Sequence, residues 1–243
     1  MQRYFLTEED FLNKTITNDD VFHIYKVMRG KIGDMIEVCY DNIAYLAKIT
    51  LISSDLVSFD ILEELDKKDE NKAKITLFQG LPKGDKTDDI IKHSTELGVD
   101  EIILFQMKRS IVKIEPNKMD SKLTRYNKIA KEAAEQAHRV SVPTVLLKNN
   151  LKEIDFSSYD LKLLLDEEEA KKIDGKQLKS IDFNNKINII FIVGPEGGID
   201  DKEREYFIKN GFLPVSIGKN ILRTETASLA FLAMLNYEFM KGN

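Results

Sequence analysis

Two short stretches of this chain combine glycine, proline, carboxylate and guanidinium groups in a way that ordinary surface loops do not require. The first is Gly194-Pro195-Glu196-Gly197-Gly198. It follows the apolar run Ile189–Val193 and precedes Ile199-Asp200-Asp201-Lys202-Glu203. A buried strand that runs into a glycine-rich turn and then a helix is where open α/β sheets hold their ligands. Glycine lets main chain approach a ligand closely and accepts positive φ. Phosphate is the usual guess for such a turn, but these residues argue against it. Asp200 is a natural N-cap, Glu203 three positions on completes a capping box, and Asp201 adds another negative charge to the first turn. The turn also matches neither the P-loop nor the dinucleotide-binding spacing. A neutral or cationic ligand suits it better, and the sulfonium of S-adenosylmethionine is one such cation. The alternative is a tight strand-to-helix turn with no ligand.

The second stretch is Leu213 to Ser228. A short strand ends at Gly218, a loop follows, and Arg223-Thr224-Glu225-Thr226-Ala227 opens an apolar helix with Thr224 as the expected N-cap. A cation just before a helix start is poorly placed against the helix dipole. Arg223 therefore either serves chemistry, or is paired with Glu225 or solvated.

The elements that must position these residues follow from periodicity. Ile36–Tyr40, Ala44–Leu51 and Val57–Leu62 read as closely spaced strands, which suggests a small β-barrel. The charged run Glu63–Lys72 reads as a linker or exposed edge, so a domain boundary is placed there. Beyond it strands alternate with helices. Ile75–Phe78, Glu101–Phe105, Thr144–Leu147, Leu161–Leu165 and Ile187–Val193 are strand candidates. Asp88–Leu97, Asp120–Arg139, Asp200–Asn210 and Thr224–Met240 are helix candidates. The longest apolar strands carry almost no polar residue, as expected of parallel strands covered on both faces. The expected fold is therefore α/β with a mostly parallel sheet over residues 73–243 and a small β-domain over residues 1–72. The final helix is apolar around most of its circumference and belongs in a core or a subunit interface.

Composition excludes several classes. The 243 residues are 42% hydrophobic and 32% charged, an ordinary globular balance. Cys39 is the single cysteine and reads as a buried strand residue, so no intramolecular disulfide forms. His23, His93 and His138 lie far apart without ligand spacing, so no metal is expected. His93-Ser94 forms no hydrolase constellation, since neighbouring helix residues face different directions. No apolar run approaches the ~20 residues a membrane helix needs, and the N-terminus has no leader pattern. A cytoplasmic location without membrane contact is expected. Net charge is −5, yet residues 108–139 carry 9 basic against 4 acidic residues while residues 1–72 carry 9 against 15. A basic segment in an acidic protein suggests a localised anionic partner, unless it is simply a solvated helix face.

Taken together these motifs resemble the RsmE family, the 16S ribosomal RNA uridine-N3 methyltransferases of the SPOUT superfamily. The resemblance rests on Gly194–Gly198, on Ile217-Gly218 and on Ile221–Ala227. It extends over the whole chain through Arg3-Tyr4-Phe5, His23–Arg29 with Gly33-Asp34, Leu81–Lys86, Glu96–Val99, Arg109-Ser110 and Glu132–Gln136 with Arg139. His138 and Tyr126 stand where the family often has a small residue and a tryptophan.

The resemblance implies a PUA-like RNA-binding domain over residues 1–72 and a SPOUT methyltransferase domain with a deep trefoil knot over residues 73–243. It also implies a homodimer and 16S rRNA of the small ribosomal subunit as partner, placing the protein in ribosome biogenesis. It implies an S-adenosylmethionine cofactor held by Leu165 and by Val193, Gly194, Pro195, Glu196 and Gly198 of the first turn. Ile217, Gly218, Ile221, Leu222, Thr224, Thr226 and Ala227 of the second turn complete that set. Arg223 is the expected catalytic cation, with Glu225 orienting it. RNA contact falls to Lys83, Lys86, Arg109, Arg125 and Arg139, with Arg3 and Arg29 of the small domain. Arg125, Glu132, Gln136 and Arg139 would share one helical stripe. A noncatalytic RNA-binding module and a ribose 2′-O-methyltransferase remain the alternatives.

Overall fold

Alternating apolar residues build a first sheet, and near-continuous apolar runs build a second. The computed structural model describes residues 1–17, 19–67, 73–171, 177–183 and 185–240. The chain divides into two units, Met1–Glu70 with Ala134–Val142, and Asn71–Ala133 with Pro143–Asn243.

The first unit contains β1 (Arg3–Phe5), α1 (Glu8–Asn13), β2 (Thr15–Ile16) and α2 (Asp19–Phe22), which runs on into a π-helical stretch, His23–Val27. Then come β3 (Met35–Tyr40), β4 (Ile43–Ile52) and β5 (Val57–Lys67). The five strands are ordered β1-β3-β4-β5-β2, with β1 parallel to β3 and the other pairs antiparallel. Asp41 and Asn42 close the β3–β4 hairpin at φ 48° and 61°, as a two-residue turn with the strand twist demands. Tyr4, Ile24, Val38, Ile49 and Phe59 fill the core of this unit, and Cys39 is buried with them.

The charged run expected to be a linker is partly strand. Glu64, Asp66 and Lys67 pair with Tyr45, Ala44 and Ile43. The ladder is made by main chain, so solvated charges extend it as well as apolar residues do. Residues 68–72, where the domain boundary was placed, lie outside the described residues.

The second unit comprises β6 (Lys74–Gly80), α3 (Lys86–Glu96), β7 (Glu101–Phe105), α4 (Met119–Gln136) up to Ala133, and β8 (Thr144–Lys148). These are followed by β9 (Leu161–Leu165), α5 (Glu167–Lys171), β10 (Asn188–Val193), α6 (Asp201–Lys209), β11 (Leu213–Val215) and α7 (Thr224–Met240). Six strands form an all-parallel sheet in the order β11-β9-β10-β6-β7-β8. The chain lays down β6, β7 and β8 outward, then returns to the other side of β6 for β9 and β10. That reversal of direction is where α/β sheets open a crevice beyond their strand ends. Ile189, Ile190, Phe191 and Ile192 are fully buried between neighbours on both sides.

Helix α4 carries its expected apolar stripe, with Tyr126, Ala130, Ala133 and Ala134 buried. It stops at Gln136 rather than Arg139, because His138 takes a left-handed φ of 52°. Arg139 therefore lies in the turn beyond the helix and off the stripe it was expected to share. No helix among the described residues is long and apolar enough to cross a membrane.

Candidate active site

A cavity of about 310 Å³ opens beyond the C-terminal ends of β9, β10 and β11. That size falls within the range that holds small molecules. Val193, Gly194, Pro195, Glu196 and Gly198 line it from one side; Ile217, Gly218, Ile221, Leu222, Thr224 and Ala227 line it from the other. Leu165 closes the end of β9, and Arg223 stands at the wall, exposed. The two glycine-bearing turns, about twenty residues apart in sequence, thus enclose one space. Thr226 is exposed and is not part of the wall. It follows Thr224 by two positions on a helix, which points it elsewhere.

The first turn is tied down from four directions. The Gly198 amide donates to the Pro195 carbonyl at 2.9 Å, closing a β-turn, with Gly198 at φ 69°. The Thr224 hydroxyl donates to the Gly194 carbonyl at 2.6 Å. The Lys83 amide donates to the Glu196 carboxylate at 3.3 Å, and the Lys86 ammonium lies 3.0 Å from it. Partial burial pushes the Glu196 carboxyl up, but main-chain hydrogen bonds and Lys86 outweigh it and hold it below the usual range. Gly80 of β6 abuts Pro195 so closely that a β-carbon there would lie 2.6 Å from Pro195 Cδ. Glu196 therefore shapes the turn.

Several expectations need correction. Thr224 does not cap its own helix: it is already the first residue of α7, where the Ala227 amide donates to the Arg223 carbonyl, and its hydroxyl donates to Gly194 and accepts from Gln79. Glu225 does not orient Arg223. Its carboxylate, two positions on from Arg223, pairs instead with Lys86 at 3.1 Å. Arg223 has no ion pair among the described residues. Asp200 does cap α6, accepting from the Lys202 amide at 3.2 Å. Glu203 does not complete the capping box, because it accepts instead from the Lys108 amide at 2.9 Å. Asp200 also pairs with Lys108 at 2.8 Å, and that ammonium holds its carboxyl low. The carboxylates on the cavity wall are Asp166, Glu167 and Glu196, not those of the α6 N-terminus.

Asp166 and Glu167 were missed by sequence reasoning, as were Ile199, Ser216 and Asn220. Asp166 follows β9 directly and accepts from Arg204 Nε at 2.7 Å. Its position just past an apolar strand was the available signal, since parallel strands present ligands from that end.

The cationic residues expected to meet RNA divide. Arg3 is buried, donates to Glu37 at 2.8 Å and to the His138 carbonyl at 2.5 Å, and is committed to the core of the first unit. It presents no surface to RNA. His138 Nδ1 also meets Glu37, at 3.0 Å, which accounts for a histidine at this position. Lys86 is occupied by Glu196 and Glu225, whose hydrogen bonds raise its pKa in that order. Arg125 pairs with Asp88 while remaining exposed. Lys83 and Arg109 are exposed beside the first turn, with Arg109 Nη1 3.4 Å from the Gly197 carbonyl. Arg29 is exposed at a left-handed φ of 53°, and Arg139 is half-buried.

The cavity suits a cationic, partly apolar ligand: glycines admit close approach, aliphatic side chains can cover a flat ring, and the wall holds three acidic residues, Asp166 paired with Arg204, Glu196 paired with Lys86, and Glu167. A phosphate would meet those carboxylates instead of bare amides.

Comparison with known proteins agrees with this geometry. An RNA methyltransferase domain model matches residues 69–236, and an RNA methyltransferase PUA domain model matches residues 16–62. The ribosomal RNA small subunit methyltransferase E of Bacillus subtilis (strain 168) is 36% identical over 256 residues, covering 100% of both chains. Its namesake from Mesomycoplasma hyopneumoniae (strain 232) is 31% identical over 96% of this chain and 97% of the relative. Among solved structures, a ribosomal RNA small subunit methyltransferase E from Neisseria gonorrhoeae bound to S-adenosyl methionine superposes with a TM-score of 0.85 at 31% identity, covering 98% of this chain and 97% of that one. With both family domains present and full-length identity to its members, the chain belongs to the RsmE family of RNA methyltransferases.

Proposed function

We propose that this protein uses S-adenosylmethionine to methylate N3 of a specific uridine in 16S rRNA of the small ribosomal subunit. The observation that carries this is the convergence of the 194–198 and 217–227 segments on one cavity, with Arg223 at its wall and outside every described ion pair. The cofactor named for the Neisseria relative fits that cavity's chemistry. S-adenosylmethionine, when bound, supplies an electrophilic methyl group on a cationic sulfur.

The turn residues and Leu165 would hold the cofactor, with Glu167 on the wall favouring its positive charge. Arg223 would do the chemistry that methyl transfer to N3 demands of the protein. N3 carries a proton with a pKa ~2 units above neutral, so giving that proton up to solvent and reaching the anion costs about 3 kcal/mol. A guanidinium beside O2 or O4 offsets that cost by stabilising the charge as it spreads onto oxygen. Close positioning of N3 supplies further acceleration, and the base must leave its stack to enter the site. Lys83, Arg109 and Arg125 of the second unit, and Arg29 and Arg139 of the first, would contact RNA. The first unit would serve as the RNA-binding domain.

Three further features belong to this reading. A trefoil-knotted path is what membership of this family implies for the second unit, and the start of α7 is tied to the 194–198 turn through the Thr224 hydroxyl and the Gly194 carbonyl. A homodimer is supported by the exposed apolar residues Met234, Tyr237 and Met240 on α7. A cytoplasmic location is supported by the RNA substrate.

The test is Arg223→Ala. We expect calorimetry to show unchanged S-adenosylmethionine binding while methyl transfer falls about 100-fold or more, the usual loss for one charge-stabilising donor. Unchanged turnover would remove Arg223 from the mechanism. Mass mapping of rRNA from cells lacking and regaining the protein locates the modified base.

A further inference from the structure

One buried polar residue lies beneath the site and outside the family motifs discussed above. Gln79 closes the apolar run Ile75-Thr76-Leu77-Phe78 of β6 and is fully buried. It is flanked in the sheet by Val193 of β10 and Leu104 of β7. A primary amide in such surroundings is costly unless every polar atom finds a partner. Here each does. Nε2 donates to the Gly80 carbonyl at 2.8 Å and to Thr224 Oγ1 at 2.8 Å, and Oε1 accepts from the Ser228 hydroxyl at 2.6 Å.

The direction of this chain of hydrogen bonds is set by chemistry. The Gly80 carbonyl has no proton, so the amide nitrogen must face it and the amide cannot be turned over. The same nitrogen then donates to Thr224, whose oxygen is an acceptor in that bond. The single hydroxyl proton of Thr224 is left for the Gly194 carbonyl, 2.6 Å away. The amide at the end of β6 thus decides where the Thr224 proton points, and that proton decides where the Gly194 carbonyl points. Gly194 lies on the cavity wall.

We infer that Gln79 is a positioning residue for the cofactor turn, acting through the Thr224 hydroxyl to hold the Gly194 carbonyl onto α7 so that the turn keeps the shape that receives the cofactor. The inference rests on the proposal that S-adenosylmethionine occupies this cavity. It assigns Gln79 to cofactor affinity and not to RNA affinity.

Four variants test it, each with S-adenosylmethionine affinity from calorimetry, separate KM values for cofactor and RNA, and a melting curve. Gln79→Met keeps the length and removes the polar atoms. Thr224→Val keeps the shape and removes the hydroxyl. Both are expected to weaken cofactor binding about tenfold and leave the KM for RNA unchanged. Thr224→Ser restores the hydroxyl and is expected to recover most of the loss seen in Thr224→Val. Gln79→Glu preserves size but offers only acceptors when ionised. The Thr224 hydroxyl must then turn toward it, as the Ser228 hydroxyl already does, the Gly194 carbonyl loses its donor, and cofactor affinity falls although the volume is unchanged. Combining Gln79→Met with Thr224→Val should cost no more than either alone, since both break one chain.

Wild-type cofactor affinity in folded Gln79→Met and Thr224→Val would overturn the inference, as would additive losses or an equal rise in both KM values. If Gln79→Met does not fold, the comparison of Thr224→Val with Thr224→Ser decides. A wild-type protein that binds no S-adenosylmethionine would remove the functional proposal and this inference together. Binding by wild type and all variants alike would remove the inference alone.

Discussion

Lys86 sits between two carboxylates from different segments, 3.0 Å from Glu196 in the first turn and 3.1 Å from Glu225 in the first turn of α7. One ammonium therefore joins the two halves of the cavity wall from outside, while Thr224 joins them from beneath. Removing it leaves two like charges next to each other behind the wall. Lys86→Met is expected to weaken S-adenosylmethionine binding about fivefold, the scale of a solvated ion pair, while Lys86→Arg keeps the affinity. The salt dependence of RNA binding should stay unchanged in both. A loss of about one in the logarithmic salt slope with intact cofactor affinity would mean that Lys86 contacts phosphate instead.

At the scale of elements, the end of β6 and the turn after β10 approach more closely than side chains allow. A β-carbon at Gly80 would lie 2.6 Å from Pro195 Cδ, 2.7 Å from Pro195 N and 2.9 Å from Met107 Sδ. Proline in a tied turn cannot swing aside as a flexible side chain would. Gly80→Ala is expected to lower stability by about 1–3 kcal/mol, the range for overpacking, with a matching fall in cofactor affinity because the 194–198 turn must move. Denaturant unfolding measures the first and calorimetry the second. A wild-type midpoint would show that the turn yields freely. Gly84 makes the contrast: its φ is 68°, but a β-carbon there meets nothing, so an alanine acts through the backbone alone.

For the molecule as a whole, α7 has two jobs on two faces. Phe231, Leu232 and Leu235 are buried within the second unit, while Met234, Tyr237 and Met240 are exposed at 37%, 62% and 72%. An apolar cavity of about 690 Å³ along this helix includes Leu178, Ile181, Phe183, Met234 and Tyr237, and shares Ser216, Ile217 and Gly218 with the first cavity. A surface of that kind marks an interaction site, and the proposed homodimer would cover it beside the cofactor turn. Met234→Lys is expected to shift the protein from dimer to monomer in sedimentation and to reduce cofactor affinity through the shared segment. Identical sedimentation of variant and wild type would exclude this face as the interface.

Sequence by itself settled what local periodicity and composition control. The span Thr224–Met240 emerged unchanged as α7, because a helix apolar on all sides leaves no choice of register. The near-continuous apolar strands, the glycine turn, Arg223 at the wall and eleven further wall residues from the two turns were legible for the same reason: glycine, proline and runs of aliphatic residues constrain backbone locally. Only tertiary structure decided partnerships. Whether Glu225 meets Arg223 or Lys86, whether Asp200 repels an anion or is neutralised by Lys108, and whether Arg3 faces RNA or the core depend on residues 92 to 139 positions away or on which side of a helix a side chain leaves. Charge is long-ranged in space but carries no mark in sequence of its partner, so the cations and carboxylates were recognised by type and misassigned by contact.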